Sequence, residues 1–311
     1  MILTFAGGVG GAKLAQGLYR LLGRDLSVVV NTGDDFEHLG LCISPDLDTV
    51  MYTLAGLNNR ETGWGLAGET WNFMAMTERL GGETWFRLGD RDLAVHIERT
   101  RRLAAGETLS AITASMCSRL GLTCSVLPMS NDRVGTMVGT DQGELAFQEY
   151  FVRLHCEPRI MTLHFAGADT AALTPEFAAS WDAPDLKAIL LAPSNPFLSI
   201  APILALPGVQ ARLRARRVPA IAVSPIIGGK AVKGPAAKIL QELGHEVSAL
   251  AVARQYQGLV DGFVLDHEDA GLAPAVEALG MRALITDTLM RDPAIAGVLA
   301  GQALAFAEAL N

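Results

Sequence analysis

The sequence predicts an α/β protein: a Rossmann-like, mostly parallel sheet with helices on both faces, plus a helical insertion and a β-hairpin. Three observations predict it. The chain opens on a short apolar run, Ile2, Leu3 and Phe5. That run ends in Gly7, Gly8, Gly10 and Gly11, and Leu14, Leu18, Leu21 and Leu22 follow at helical spacing. Unbroken apolar runs recur at 26–31, 188–192, 220–223, 262–265 and 283–285, as in strands covered on both faces. Helical patterns near 174–181, 197–205, 208–217, 235–243, 270–279 and at the C-terminus alternate with the later runs, which is βαβ rhythm.

Length and composition set the scale. The 311 residues, 50% hydrophobic and 19% charged, suffice for one large core, read as a single domain over 1–311 with the insertion at about 50–122. A net charge of −8 supplies no basic field, so nucleic acid is not an expected partner. The local cluster Arg212, Arg214, Arg216 and Arg217 reads as a solvated helix end. Cys42, Cys117, Cys124 and Cys156 form no CxxC pair and no zinc spacing, so reduced thiols and a cytoplasmic location are expected. The N-terminus lacks the basic start and cleavage site of a signal peptide, and no apolar run is long enough to span a membrane.

From about 50 to 122 the pattern is mostly helical and carries Trp64, Trp71, Trp85 and Phe86. His96 on its own reads as structural, and Arg87 and Arg91 as salt-bridge partners beside an acidic turn. A short strand at 126–130 precedes a hairpin, 137–140 and 145–152, around a polar turn at Asp141, Gln142 and Gly143. Another strand follows at 160–165.

Strand, glycine turn and helix together cradle an anion, because glycine lets backbone N–H groups approach closely and the helix N-terminus adds partial positive charge. The turn fits neither common fingerprint. Ala12 separates the last Gly from Lys13 and Leu14 follows, so it is no Walker loop; Lys13 also stands where GxGxxG needs glycine. A tight turn with no ligand would use the same glycines. The second strand ends in Asn31, Thr32, Gly33, Asp34 and Asp35, on the side where open sheets bind ligands. Asp46 and Asp48 fall at the start of the next helix, where one could simply be an N-cap or the pair could hold Mg²⁺. Two later loops follow strands directly: one has Ser194, Asn195 and Ser199, the other Ser224, Gly228, Gly229, Lys230 and Lys233. No GxSxG elbow or activated cysteine motif supports nucleophilic catalysis.

Taken together the motifs are specific. GGVGGAK (7–13), VVVNTGDD (28–35), SPDLDTVMYTLAG (44–56), LGDRDLAVH (88–96), LPMSNDRV (127–134), FQEYFV (147–152), APSNPFLSI (192–200) and SPIIGGKAVKGPA (224–236) occur in one order along nearly the whole chain. In these the chain resembles the 2-phospho-L-lactate transferase family of deazaflavin coenzyme F-420 biosynthesis. It departs slightly, with Val9 where the family often has Thr and Gly33 where it often has Ala. The resemblance implies a homodimeric enzyme with two small-molecule substrates. A guanosine-diphosphate-linked three-carbon acid (lactyl, enolpyruvyl or 3-phosphoglyceryl) would pass its phosphoester group to the terminal ribityl hydroxyl of the deazaflavin Fo, releasing GMP.

On that basis Asp48 is the expected catalytic residue, and Asp48 and Arg87 the expected contacts to Fo. Mg²⁺ is the expected cofactor, held by Asp48 with Asn31. Gly8, Gly10, Gly11 and Lys13 are assigned to phosphate, and Ser194, Asn195, Ser224, Gly228, Gly229 and Lys230 to the nucleotide. The competing class is a nucleotide-sugar-binding regulator of related fold. An NAD-dependent oxidoreductase is disfavoured, since Asn31 stands where the second strand would need an acidic residue.

Overall fold

The first strand, β1 (Ile2–Ala6), runs into α1 (Gly8–Leu22) after a single residue, Gly7. Then come β2 (Leu26–Val30), a small antiparallel pair β3 (Phe36–His38) and β4 (Leu41–Ile43), and α2 (Pro45–Leu54). The helices α3 (Asn72–Arg79), α4 (Asp92–Ala104) and α5 (Leu109–Arg119) lead to β5 (Ser125–Pro128). Strands β6 (Gly135–Thr140), β7 (Gly143–Ala146) and β8 (Ile160–Ala166) form a separate sheet. The chain then returns through β9 (Ala188–Leu191), β10 (Ala220–Val223), the tiny hairpin β11 (Ile226–Ile227) and β12 (Lys230–Ala231), β13 (Gly262–Asp266) and β14 (Arg282–Thr286). A last helix, Pro293–Glu308, closes the fold. This computed structural model describes residues 1–232 and 234–310, so Lys233 lies outside the described residues.

The main sheet is parallel, in the order β14-β13-β10-β9-β1-β2-β5. Every residue of β1 is buried because alternate side chains fill opposite cores. Leu3 and Phe5 pack with Phe177, Trp181, Ile189 and Leu191 on one face. Ile2 and Ala6 pack on the other with Leu14, Leu18, Val28, Leu190 and the C-terminal helix. The chain winds outward from β1 through β2 to β5, then crosses back to β9 and winds the other way. The crevice between the ends of β1 and β9 is therefore the topological switch point, where such sheets bind ligands.

Two expectations need revision. The hairpin arm at 145–152 stops at Ala146, and Glu149–Arg153 turns helically instead. Phe147 and Tyr150, three residues apart, both enter a core with Leu198 and Ile239, which a strand's two-residue alternation cannot arrange. In compensation β8 pairs antiparallel with β6. The stretch from 55 to 91 is also far less helical than its pattern. The Asp90 carboxylate accepts bonds from Thr70 Oγ1, Asn72 N, Asn72 Nδ2 and Phe73 N, while that of Glu69 accepts from Arg91 N and Asp92 N. The LGDRD segment thus ties two irregular loops together and starts α3. Within 50–122, α2 packs in the main core through Leu47, Val50, Met51 and Leu54, whereas Met74, Leu88 and Leu93 form a small core with Ile43.

Candidate active site

Gly7, Gly10 and Gly11 of the opening turn each meet a close neighbour. A Cβ on Gly10 would stand 2.3 Å from Pro193 O, and one on Gly11 2.4 Å from Ser194 Oγ. Gly8 has φ +60°, a left-handed conformation that favours glycine. Two of the turn's amides already carry protein acceptors. Gly8 N donates to Asp46 Oδ1 at 2.8 Å, and Gly7 N to Ser194 Oγ at 3.2 Å. Ser194 Oγ in turn donates to Gly7 O at 2.8 Å, clamping the loops after β1 and β9 together across the switch point.

Asp46 belongs to an acidic cluster at the ends of β1 and β2. Its Oδ2 accepts from Asn31 Nδ2 at 3.0 Å. Asn31, fully buried, also donates to Leu198 O, and its Oδ1 accepts from Gly33 N at 2.8 Å. Asn31, expected to share a Mg²⁺ with Asp48, directs its amide N–H to Asp46. Burial pushes the Asp46 carboxyl up to about 6, with the Asn31 and Gly8 hydrogen bonds opposing the rise. Burial also raises Asp34 well above the usual carboxylate range, and the neighbouring charges of Asp46 and Asp35 add to it. Asp35 is raised by burial in the same way, against a bond from Ser44 Oγ at 2.7 Å. Asp34 and Asp35 each keep one buried oxygen, Oδ1, with no hydrogen-bond partner. Orphaned carboxylate oxygens are the kind of donor a hard divalent cation takes once the carboxyl is ionised.

Asp48 faces elsewhere. One turn into α2, it meets the guanidinium of Arg99 on α4: Arg99 Nη1 donates to Asp48 Oδ2 at 3.1 Å and Nη2 to Oδ1. His96 Nδ1 lies 3.6 Å from Asp48 Oδ2, and His96 Nε2 lies 3.3 Å from Asp92 Oδ2. Tyr52 OH donates to Asp92 Oδ1. Burial opposes the Arg99 charge, but the carboxylates of Asp48 and Asp35 outweigh it and hold its pKa above the ordinary value. Asp48, Asp92 and His96 place donor atoms within 4.8 Å of one another, a spacing that could hold a metal ion. A cation there would have to compete with Arg99 for both Asp48 oxygens.

The remaining expected residues are dispersed. Lys13 Nζ donates to Met290 O at 2.8 Å, reaching toward the C-terminal segment. Arg87 is exposed, its guanidinium 4.1 Å from the Trp71 ring centroid. Asn195 Oδ1 caps the turn at Phe197 N and Leu198 N, while its Nδ2 is buried and unpartnered. Ser224 Oγ donates to Ile226 O within its own turn, and Gly228 N donates to Asp269 Oδ2 at 3.1 Å. Lys230, on β12, is exposed. Sequence reasoning missed Arg99, although Asp92, His96 and Arg99 fall at i, i+4 and i+7. That puts three polar groups on one face of α4, a pattern the expectation of a lone structural histidine overlooks.

Comparisons with known proteins agree with one another. The family model for 2-phospho-L-lactate transferase CofD matches residues 2–284. A phosphoenolpyruvate transferase of Kitasatospora aureofaciens is 44% identical over 99% of this chain and 98% of its own. A 2-phospho-L-lactate transferase of Methanosarcina acetivorans is 40% identical over 93% of each chain. A crystal structure of a UPF0052-family protein from Bacillus halodurans superposes with a TM-score of 0.65, covering 97% of this chain and 98% of that one; at 12% identity it speaks to the fold alone. The chain belongs to the 2-phospho-L-lactate transferase family and is a transferase.

Proposed function

We propose that the protein transfers a phosphoenolpyruvyl group from a guanosine-diphosphate-linked donor to the terminal ribityl hydroxyl of Fo, releasing GMP, in coenzyme F-420 biosynthesis. The observation that carries this reading is the acidic cluster with partnerless oxygens, set beside the glycine turn at the switch point of a chain matched by the family model. The enolpyruvyl donor is favoured because relatives at 41–44% identity over 99% of this chain are named phosphoenolpyruvate transferases. A homodimer belongs to the same reading. Apolar Leu21 on α1 and Val298 on the C-terminal helix are 53% and 61% exposed and offer surface to a second copy. Among the described residues no helix is long and apolar enough to cross a membrane, in keeping with small-molecule substrates.

In this reaction the ribityl oxygen attacks the phosphorus that carries the three-carbon acid, and the bond from that phosphorus to the GMP oxygen breaks. Such chemistry needs charge neutralisation and in-line placement more than a covalent nucleophile. Asp34 and Asp35 have the partnerless oxygens to hold Mg²⁺, which when bound would neutralise the pyrophosphate. Asp48 supplies a carboxylate that orients the hydroxyl and accepts its proton. Arg87 and the Trp71 ring beneath it offer a cationic, flat surface to the deazaflavin. The nucleotide is assigned to the loops bearing Ser194 and Asn195 and bearing Ser224 to Lys230, where the buried Asn195 Nδ2 offers that ligand a donor.

The test is to incubate the protein with Fo, Mg²⁺ and equimolar lactyl, enolpyruvyl and phosphoglyceryl donors, and to resolve the products by mass spectrometry. The enolpyruvyl product with stoichiometric GMP is expected. Fo binding without GMP release would overturn the transfer reaction in favour of a regulator. Preference for another donor would overturn the donor assignment alone.

A further inference from the structure

We propose that Arg99, delivered by the helical insertion, is a positioning residue that fixes the orientation of the Asp48 carboxylate for transfer. This rests on the reading that Asp48 addresses the ribityl hydroxyl. The two residues are 51 positions apart and come from different helices, α2 and α4. Arg99 is 2% exposed and Asp48 5%, so solvent does not screen the pair. Two guanidinium nitrogens meet two carboxylate oxygens, the forked geometry that stops a carboxylate rotating about its last torsion.

The fork is itself held. Arg99 Nη1 also donates to Cys42 O at 3.3 Å, on β4 just before α2. His96, one turn earlier on α4, lies against the same carboxylate, and Asp92 and Tyr52 close the ring behind it. Each carboxylate oxygen has two lone-pair sites, so accepting one N–H apiece leaves an aimed position on each for a hydroxyl proton. A lysine would deliver the charge as a single point and lose the fork. Helix α4 thereby sets the geometry of a group on α2.

The experiment compares wild type, Arg99→Lys, Asp48→Asn, and the neutral pair Arg99→Gln with Asp48→Asn, by kcat and KM for Fo and for the enolpyruvyl donor. Each protein is first checked by thermal melting. The neutral pair removes both charges of the fork together, so it keeps the test informative if Arg99→Lys melts poorly. A group displaced by about 1 Å loses on the order of 100-fold in rate. Arg99→Lys is therefore expected to lower kcat by about 10- to 100-fold while the donor KM stays within about twofold. The neutral pair is expected to be no slower than Asp48→Asn alone, because Arg99 then has nothing left to position. An unchanged kcat in Arg99→Lys, or a further loss in the neutral pair beyond Asp48→Asn, overturns the inference. If wild type turns over none of the substrates, it is the proposed reaction that fails.

Discussion

Replacing Gly10 with alanine tests why the opening turn is rich in glycine. Gly10 lies inside α1, where alanine is ordinarily better than glycine by about 1 kcal/mol. Its missing Cβ would stand 2.3 Å from the carbonyl oxygen of Pro193, whereas ordinary contact begins at 3.4 Å. The β1 and β9 loops must then part by about 1 Å, and that neighbour is backbone rather than a flexible side-chain tip. Overpacking of this kind costs about 1–3 kcal/mol. Gly301, in the C-terminal helix, supplies the control: its Cβ would find nothing nearer than Leu21 Cδ1 at 3.9 Å. Gly301→Ala should therefore gain about 0.5–1 kcal/mol. Subtracting one variant from the other cancels the helix preference and leaves the steric term, so urea denaturation should separate them by about 1–3 kcal/mol. Parting the loops also disturbs the transfer point, so Gly10→Ala should lose about 100-fold in kcat while Gly301→Ala keeps wild-type turnover. If Gly10→Ala proves as stable as Gly301→Ala, close packing is not why glycine stands there.

Three more expectations can be checked with the same preparations. Asp48→Asn should remove most turnover, about 100-fold or more, while circular dichroism shows a folded chain, since the amide oxygen still accepts from Arg99. The Asp46 carboxyl, at about 6 in the folded chain against an ordinary 3.8, holds a proton that the unfolded chain releases. Asp46 should therefore lower stability by about 3 kcal/mol as pH rises from 4 to 6, with Asp34 and Asp35, also raised by burial, acting in the same direction. Melting curves with and without Mg²⁺ should show the ion stabilising the fold at pH 7 far more than at pH 4.5, and equal shifts at both would count against the cluster as its site. Burial raises the Cys117 and Cys124 thiols to about 12 and about 11, so iodoacetamide at pH 8 should leave both unmodified in the native protein.

The sheet was legible because its signals are local. Short, largely apolar runs such as LSVVV and AILL, buried on both faces, have few alternatives to a parallel strand. The insertion was harder to read. Glu69 and Asp90 hold the loops on either side of α3 by accepting backbone N–H groups from across them, and those bonds depend on contacts 17 to 23 residues apart. The site was legible as a neighbourhood. Asn31, Asp34, Asp35, Asp46 and Asp48 do gather at the strand ends, but which carboxylate faces which partner is set by Arg99. Nothing in the spacing of α2 foretells a guanidinium arriving from α4.

The Asp46 carboxylate changes what the glycine turn can do in the proposed reaction. An approaching phosphate would find the Gly8 amide already engaged by an anion, and two anions at one helix N-terminus repel. Helix dipole and glycine turn alone are then a poor phosphate seat. The partnerless oxygens of Asp34 and Asp35 beside Asp46 would hold a divalent cation, whose charge would reverse the sign at the turn. A Walker loop pairs its lysine with a following Ser or Thr for the same purpose. Here Ala12 and Leu14 occupy those places and Lys13 reaches Met290 O. The departure from the Walker pattern and the acidic cluster are thus two sides of one arrangement: the turn holds a carboxylate, and the neighbouring carboxylates, through a metal, would hold the phosphate.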